Sequence, residues 1–404
     1  MYHDVWRLSD IVMVSQWVAP TAPREADGLY ISTDEGLRAY CERARAAKVL
    51  AVDTEFLRER TYRPRLCLVQ VCYGDQSAAI DPILIHDLSP LAEILEDPRV
   101  TKVFHACGQD LEVLLDGMGC EVAPVFDTQL AAGFLGMRHQ VSYGTLVEEY
   151  CGIRLPKAEA LTDWSRRPLD DEQLRYAEDD VLYLPGIYER QMRRLVELDR
   201  LSWVRPEMEE VASVEKVKRD PRKAYLKLKR SGALTRRQLA VAREVCAWRE
   251  EAAADRDVPK KWVCSDELIV EIAKRCPQSG ERLRRVRGTE QMSARDVSAI
   301  VAAVSRGLAV PADQCPAVEH HAHASGDAEA VVDLMYAFVR VVSDRTGVAN
   351  ALLASREDLA QFLTNRKRSR LATGWRYEVV GRDLERLLDG ETGLTVKGGR
   401  VEVL

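Results

Sequence analysis

Four acids and one tyrosine in the first half of the chain have the types and spacing of a site for metal-dependent hydrolysis. Asp53 and Glu55 stand two residues apart, Asp110 follows, and Tyr176 precedes Asp180 by four residues. Carboxylate oxygens are ligands that Mg²⁺ and Mn²⁺ prefer. Two such ions, roughly 3.5–4 Å apart, can activate a water and stabilise the departing oxygen of a phosphodiester. The set therefore predicts a two-metal nuclease site.

The first acidic pair ends an apolar run, residues 48–52, that predicts a buried strand. Because side chains alternate across a strand, Asp53 and Glu55 point to the same side, roughly 7 Å apart along the backbone. A buried carboxylate needs a partner, and a hard cation is one natural partner. A strand end that reaches solvent explains the same two acids, so this pair alone leaves both interpretations open.

The next acid lies just after a second predicted strand, residues 100–104. A turn over residues 105–108 is followed by a predicted helix over residues 109–118, and Asp110 falls in its first turn. Helix starts favour anions electrostatically, so this position has a structural explanation as well as a catalytic one. His105, in the turn, is interpreted as a hydrogen-bonded packing residue rather than a ligand.

The third stretch is the most specific of the three. Asp170 and Gln173 form a capping-box pattern that starts a helix. Tyr176 and Asp180 then lie on one face, a turn apart. Asp179 lies roughly 100° from Asp180 around that helix, so it is the second choice for the aspartate of the site.

These stretches, in this order, resemble the exonuclease motifs of the DEDDy branch of the DEDD superfamily. Over about residues 28–200 the chain further resembles the bacterial ribonuclease D family. The segments that carry the resemblance are Asp53-Thr54-Glu55-Phe56, Thr61 to Leu66, His105-x-x-x-x-Asp110, Glu148-Glu149-Tyr150, Lys157, Thr162-Asp163-Trp164, Arg167-Pro168-Leu169 and Tyr176-x-x-x-Asp180.

The resemblance implies an RNase H-like α/β fold with a mixed sheet and a site for two divalent cations, Mg²⁺ or Mn²⁺. Asp53 would bridge both ions, Glu55 and Asp180 would hold the ion that carries the attacking water, and Asp110 would serve the other, partly through water. Tyr176 would orient that water. The implied activity is 3′→5′ exoribonuclease hydrolysis that releases 5′-monophosphates, with precursor tRNA as the substrate.

Basic and aromatic residues outside the carboxylate set are candidates for contact with RNA phosphates and bases. Some follow the first catalytic strand, and others lie in a basic segment on a chain of net charge −6. A solvated surface explains any one of them equally well. The candidate nucleic-acid contacts are Arg58, Tyr62, Arg63, Lys157, Lys227 and Arg230.

The 404 residues, of which 46% are hydrophobic and 30% charged, predict a globular chain of two or three domains. The residues from Leu239 to Trp248-Arg249, with Val258-Pro259 and Trp262-Val263, resemble the HRDC domain, a small helical nucleic-acid-binding module. A second, more divergent HRDC-like domain is expected from the family alone. The predicted boundaries are an unassigned extension 1–27, an exonuclease domain 28–205, a basic linker 206–222, an HRDC domain 223–310, a linker 311–326 and a second helical domain 327–404.

Composition excludes several other classes of protein. No window approaches 18 uninterrupted apolar residues, so we expect no membrane span. The first 27 residues lack the basic start of a signal peptide. Ten cysteines without Cys-x-x-Cys spacing favour a reduced, cytoplasmic protein over a zinc protein. His320, His321 and His323 are interpreted as part of a solvated linker, and no protein partner is inferred.

Two rival functions remain open from the residues. A DNA 3′→5′ exonuclease of the same superfamily would use the same metal ligands, because only neighbouring residues can read the 2′-hydroxyl of RNA. A non-catalytic RNA-binding adaptor would keep the fold without the chemistry. The complete set of four acids and one tyrosine argues against the adaptor, and the longer family resemblance favours RNA.

Overall fold

The computed structural model describes residues 28–156, 162–316 and 326–404. By their internal contacts these residues form two compact units. The first unit comprises residues 28–56, Leu66–Val217 and 326–404; the second comprises Leu57–Arg65 and residues 218–316. Among the described helices, none has the length and apolarity needed to cross a lipid bilayer.

The first unit is built on a six-stranded sheet with strand order β1-β4-β3-β2-β5-β6. Its strands are β1 (Leu29–Ile31), β2 (Val49–Leu57), β3 (Arg65–Tyr73), β4 (Gln76–Ile80), β5 (Thr101–Phe104) and β6 (Val125–Asp127). Strands β1 and β4, β2 and β5, and β5 and β6 pair in parallel, whereas β3 and β4 are antiparallel. The predicted mixed sheet is confirmed.

Among the described residues of the first unit before position 218 there are nine helices. They are α1 (Asp34–Ala44), α2 (Ser89–Glu96), α3 (Gly108–Met118), α4 (Thr128–Gly133), α5 (Tyr143–Cys151), α6 (Asp171–Leu182), α7 (Leu184–Glu197), α8 (Leu201–Val211) and α9 (Val214–Val217). The first four residues of β2 are all buried, as expected for a central strand covered on both faces. Because β2 runs parallel to β5 and Ala51 pairs with Val103, Asp53, in the middle of β2, lies level with the turn that follows β5, and Asp127 ends the neighbouring strand β6.

The last part of the chain shares a hydrophobic core with the nuclease sheet rather than standing alone. The ring of Trp375 packs edge-on to Phe134, with centroids 5.2 Å apart, and stacks on Trp203 at 5.8 Å. Beside it, the Arg376 guanidinium binds the Glu207 carboxylate through two hydrogen bonds of 2.6 and 2.7 Å. Residues 326–404 therefore group with the nuclease, although the sequence suggested a separate domain.

This C-terminal part is helical except at its end. Its α-helices are α15 (Gly326–Thr346), α16 (Asn350–Leu353), α17 (Arg356–Thr364), α18 (Gly374–Arg376) and α19 (Arg382–Leu388), with 3₁₀ turns at Arg366–Arg368 and Arg370–Ala372 and a π-turn at Tyr377–Gly381. The described chain ends in a hairpin of β7 (Leu394–Lys397) and β8 (Arg400–Val403), where the sequence predicted only helices. Gly398 and Gly399, at φ 57° and 76°, form its two-residue turn, which favours glycine.

The second unit is helical, as expected for a chain segment that resembles the HRDC domain. It contains 3₁₀ turns at Pro221–Lys227, Ser231–Ala233 and Ala312–Gln314, and helices α10 (Arg236–Arg256), α11 (Lys260–Val263), α12 (Asp266–Arg275), α13 (Gly280–Arg284) and α14 (Ala294–Ala309). The connection between β2 and β3 also belongs to this unit. There, the Tyr62 hydroxyl donates to Glu250 at 3.0 Å, and the Arg219 guanidinium lies 4.9 Å from the Tyr62 ring centre.

The predicted basic linker begins too early in the sequence. Pro206 lies inside helix α8, which runs to Val211. A proline inside a helix removes one backbone hydrogen bond. The burial of Val204 and Met208 in the nuclease core offsets that loss. The position of a proline in the sequence does not reveal this burial.

We expect Arg376→Met to destabilise the nuclease unit by about 3–5 kcal/mol, because it leaves the carboxylate of Glu207 without its cation. The side chains of Arg376 and Glu207 are only 8% and 12% exposed, so water cannot replace the lost partner. Urea unfolding of the full chain measures the change. The control is Arg194→Met, which breaks an exposed ion pair with Glu197 and should cost less than about 1 kcal/mol. Equal losses in the two variants would contradict the prediction.

Candidate active site

The middle of strand β2 and the helix α6 bring three carboxylates together. One oxygen from each of Asp53, Glu55 and Asp180 lies within 4.8 Å of the others. In the described part of the chain this is the one group of acidic, histidine or cysteine side chains with such a spacing. The alternation of β2 aims Asp53 and Glu55 to one side, as the sequence predicted.

Helix α6 carries Tyr176 and Asp180, and hydrogen bonds at its N-terminus define where it begins. The Asp170 side chain accepts from the Gln173 amide at 2.8 Å, and the Gln173 side chain accepts from the Asp170 amide at 3.1 Å. This reciprocal pair fixes where the helix begins and therefore which residues face the sheet edge. The carboxylate of Asp180 joins the cluster, and that of the neighbouring Asp179 does not.

Asp110 approaches from a different direction, on the first turn of α3. Its carboxylate is nearly buried and accepts a 2.5 Å hydrogen bond from the Thr54 hydroxyl. Thr54 points away from Asp53 and Glu55 because it is the residue between them. No local pattern predicts this contact, since the two partners are 56 residues apart.

The turn between β5 and α3 is held by hydrogen bonds from outside the cluster. Asp127 caps α4 and also accepts from the backbone amides of Ala106 and Cys107, at 3.1 and 3.0 Å. The imidazole of His105 makes hydrogen bonds with Thr128 and with the carbonyl of Val141. These contacts make His105 and Asp127 supports of the turn that leads to Asp110.

Burial raises the pKa values of all four acids, and the charges of neighbouring carboxylates add to the effect. Burial, followed by the charges of Asp110, Asp180 and Glu55, raises the pKa of Asp53 well above its usual range. Burial raises the pKa of Glu55 to about 8, that of Asp180 to about 7 and that of Asp110 to about 6. Such a group of oxygen donors fits a divalent cation, whose charge relieves the repulsion between the carboxylates.

The predicted nucleic-acid contacts lie elsewhere in the chain. Arg58, Tyr62, Arg63, Lys227 and Arg230 all belong to the second unit. Four of them are exposed, and Tyr62 is partly buried against Glu250 and Arg219. Lys157 lies outside the described residues, as do the linker histidines and the extension 1–27.

Family models match both functional parts of the chain. Residues 29–196 match a 3′-5′ exonuclease model, and residues 238–304 match the HRDC domain. Ribonuclease D of Granulibacter bethesdensis is 38% identical over 93% of this chain and 96% of its own length. Ribonuclease D of Jannaschia sp. is also 38% identical, over 93% of this chain and 98% of its own length.

Solved structures agree with these matches. The crystal structure of Escherichia coli RNase D, described as an exoribonuclease involved in structured RNA processing, superposes with a TM-score of 0.78. It is 31% identical, and the match covers 90% of this chain and 99% of that one. The catalytic core of RRP6 from Trypanosoma brucei is 25% identical with a TM-score of 0.52, over 74% of this chain and 88% of that one. The predicted RNase H-like exonuclease fold is confirmed, and this fold implies dependence on a divalent metal.

The raised pKa values predict a pH-dependent response to metal. The folded chain keeps protons that the unfolded chain releases near pH 4, so these acids favour folding at low pH. That contribution is lost as the pH rises through the folded pKa values of about 6 to 8. Because Mg²⁺ or Mn²⁺ binds the ionised carboxylates, we expect it to raise the melting temperature more at pH 8 than at pH 5.5. Differential scanning fluorimetry with metal or chelator at both pH values measures this.

Two adjacent aspartates provide matched variants for that experiment. Asp180→Asn removes a cluster carboxylate and should reduce the metal-induced shift strongly. Asp179→Asn removes one from outside the cluster and should leave the shift intact. A shift that is the same at both pH values, or that is lost equally in both variants, would contradict the assignment.

Proposed function

The chain belongs to the ribonuclease D family, and from that premise we propose that it trims 3′ extensions from precursor tRNA by two-metal-ion hydrolysis. Its activity is that of a 3′→5′ exoribonuclease, as its relatives and its exonuclease domain establish. The cluster of Asp53, Glu55 and Asp180 beside Tyr176 is the observation that carries the proposal for the site. The released products would be nucleoside 5′-monophosphates.

Each acid has a proposed role that agrees with its position. Asp53, Glu55 and Asp180 would together hold one cation, and Asp53 with Asp110 would hold a second. All the donors are carboxylate oxygens, which supports Mg²⁺ or Mn²⁺. When bound, such cations acidify a water and stabilise the charge on the departing oxygen. The Thr54 hydroxyl fixes which Asp110 oxygen remains available to the site.

Tyr176 is proposed to orient the attacking water through its hydroxyl. Burial, followed by the charges of Asp180, Glu55 and Asp53, raises the pKa of this phenol above its usual range. At neutral pH the phenol therefore keeps its proton and acts as a hydrogen-bond donor, for which Asp180 is one acceptor. Its proposed role is to position the water, because a protonated phenol cannot act as a base.

The second unit is proposed to bind the body of the RNA while the 3′ end enters the site. It contains the HRDC match, and Lys227 and Arg230 are exposed there. Basic groups bind phosphates by releasing counterions, which supplies affinity independent of sequence. We also propose a cytoplasmic location, which is supported by ten cysteines that form no disulfides.

Replacement of Tyr176 by phenylalanine separates the orienting role from metal binding. We expect Tyr176→Phe to lower kcat about 100-fold, the lower range for loss of a positioned group at the reacting centre. Metal affinity should change little, because the substitution leaves in place the carboxylates that would hold the cation. Single-turnover kinetics on a 3′-extended RNA and calorimetric titration with Mn²⁺ measure the two effects. Unchanged kcat would remove Tyr176 from the mechanism.

The substrate class is tested directly by comparing RNA with DNA. We expect the chain to shorten a 3′-extended tRNA one nucleotide at a time with Mg²⁺ or Mn²⁺, and to act far less on single-stranded DNA of equal length. Chelator should abolish the reaction, as should Asp53→Asn. Shortening of DNA alone would favour the DNA exonuclease alternative, and products formed in chelator would refute the metal mechanism.

A further inference from the structure

Residues 162–170, which lead into α6, are anchored to the sheet by Arg167. All five of its guanidinium N–H groups are used. Two go to the carboxylate of Asp81, one to the carbonyl of Cys67 at 2.7 Å, and one each to the carbonyls of Trp164 and Arg166 at 2.8 and 2.7 Å. Arg167 therefore joins this segment to the sheet through a planar fork that lysine cannot reproduce.

The sheet end of this contact is rigid. Asp81 directly follows β4 and is fully buried. Its carboxylate also accepts from the hydroxyl of Tyr30 and from the amide of Ile83. A buried carboxylate with this many donors has little freedom to move. Arg167 is thus held at a fixed point of the sheet.

The other end of the segment lies against helix α6. The indole of Trp164 is only 5% exposed, and its centroid is 5.9 Å from that of the Tyr176 ring. A second contact joins the Gln173 side-chain amide to the Thr162 hydroxyl at 3.0 Å. Trp164 therefore contacts both residues: its carbonyl accepts a hydrogen bond from Arg167, and its ring packs against that of Tyr176.

The helix itself has a separate anchor. The Glu178 carboxylate of α6 accepts from the Ser77 hydroxyl at 2.8 Å and from the Gly28 amide at 3.2 Å. These bonds, with the Asp170 cap, hold the helix backbone without Arg167. What Trp164 adds is a surface against one side of the Tyr176 ring, which limits the rotamers that its phenol can adopt.

We propose that Trp164 and Arg167 are positioning residues for Tyr176: Arg167 fixes the Trp164 backbone to the sheet, and the indole holds the phenol toward the carboxylate cluster. This inference rests on the proposed function, because it assigns the hydroxyl of Tyr176 to the reaction. Neither residue touches the reacting atoms. Their contribution is to orient Tyr176, whose hydroxyl is the group assigned to the reaction.

The test compares two adjacent arginines. Arg167→Lys keeps the charge but loses the fork, and we expect kcat to fall about 10-fold, with KM and Mn²⁺ affinity within twofold of the wild type. Arg166→Lys is the matched control, since the side chain of Arg166 is 84% exposed and pairs only at the surface with Asp163; its kcat should not change. Trp164→Phe should retain most of the activity, and Trp164→Leu should lose as much as Arg167→Lys.

A double-mutant cycle separates positioning from general support of the fold. In the Tyr176→Phe background, Arg167→Lys should lower kcat by less than twofold, because the group it positions is already gone. The same 10-fold loss in both backgrounds, or a loss that follows Mn²⁺ affinity, would overturn the proposal.

Hydrogen–deuterium exchange of the metal-free chain gives a readout that does not need activity. Backbone amides of residues 162–169 should exchange faster in Arg167→Lys than in the wild type or in Arg166→Lys. Unchanged exchange would overturn the anchoring role itself. If exchange is faster in Arg167→Lys but the wild type does not shorten RNA, the anchoring role stands. The proposed function is then refuted, and the catalytic role of the anchor with it.

Discussion

The repulsion among half-buried carboxylates at one edge of the sheet is the constraint on which the rest of the structure depends. Asp53, Glu55 and Asp180 place oxygens within 4.8 Å of one another, and burial raises the pKa of each. Like charges at this distance stay together only if the surrounding elements hold them or a cation neutralises them. The parallel pairing of β2 with β5 meets the first condition, because it places Asp53, in the middle of β2, level with the turn that leads from β5 to Asp110.

Each acid reaches this place with a hydrogen-bonded support of its own. The capping box of α6 sets the position of Asp180, the hydroxyl of Thr54 orients Asp110, and Asp127 ties down the turn that leads into α3. These supports are hydrogen bonds within the protein itself. A site of this kind gives up folding stability to the repulsion between its carboxylates and recovers it when metal binds.

The two compact units are each built from segments that are not continuous in the sequence. The C-terminal helices complete the hydrophobic core of the nuclease through Trp375, and the bond between Arg376 and Glu207 lies beside that core. Conversely, the loop that follows catalytic strand β2 belongs to the helical second unit, where Tyr62 is bound by Glu250 and Arg219. The strand that bears Asp53 and Glu55 is thus continuous with a segment of the unit that contains the HRDC match.

The sequence by itself determined the features that are set within a few residues. Alternation along a strand put Asp53 and Glu55 on one side, and the helical period with a capping box selected Asp180 over Asp179. Such patterns depend on local backbone geometry, which repeats every two or 3.6 residues and can be read without the fold. Only the tertiary structure decided the long-range pairs. Thr54 with Asp110, Asp81 with Arg167 and Glu207 with Arg376 are separated by 56, 86 and 169 residues. One sequence carries no periodic signal for such contacts, because they exist only once the sheet and helices have packed.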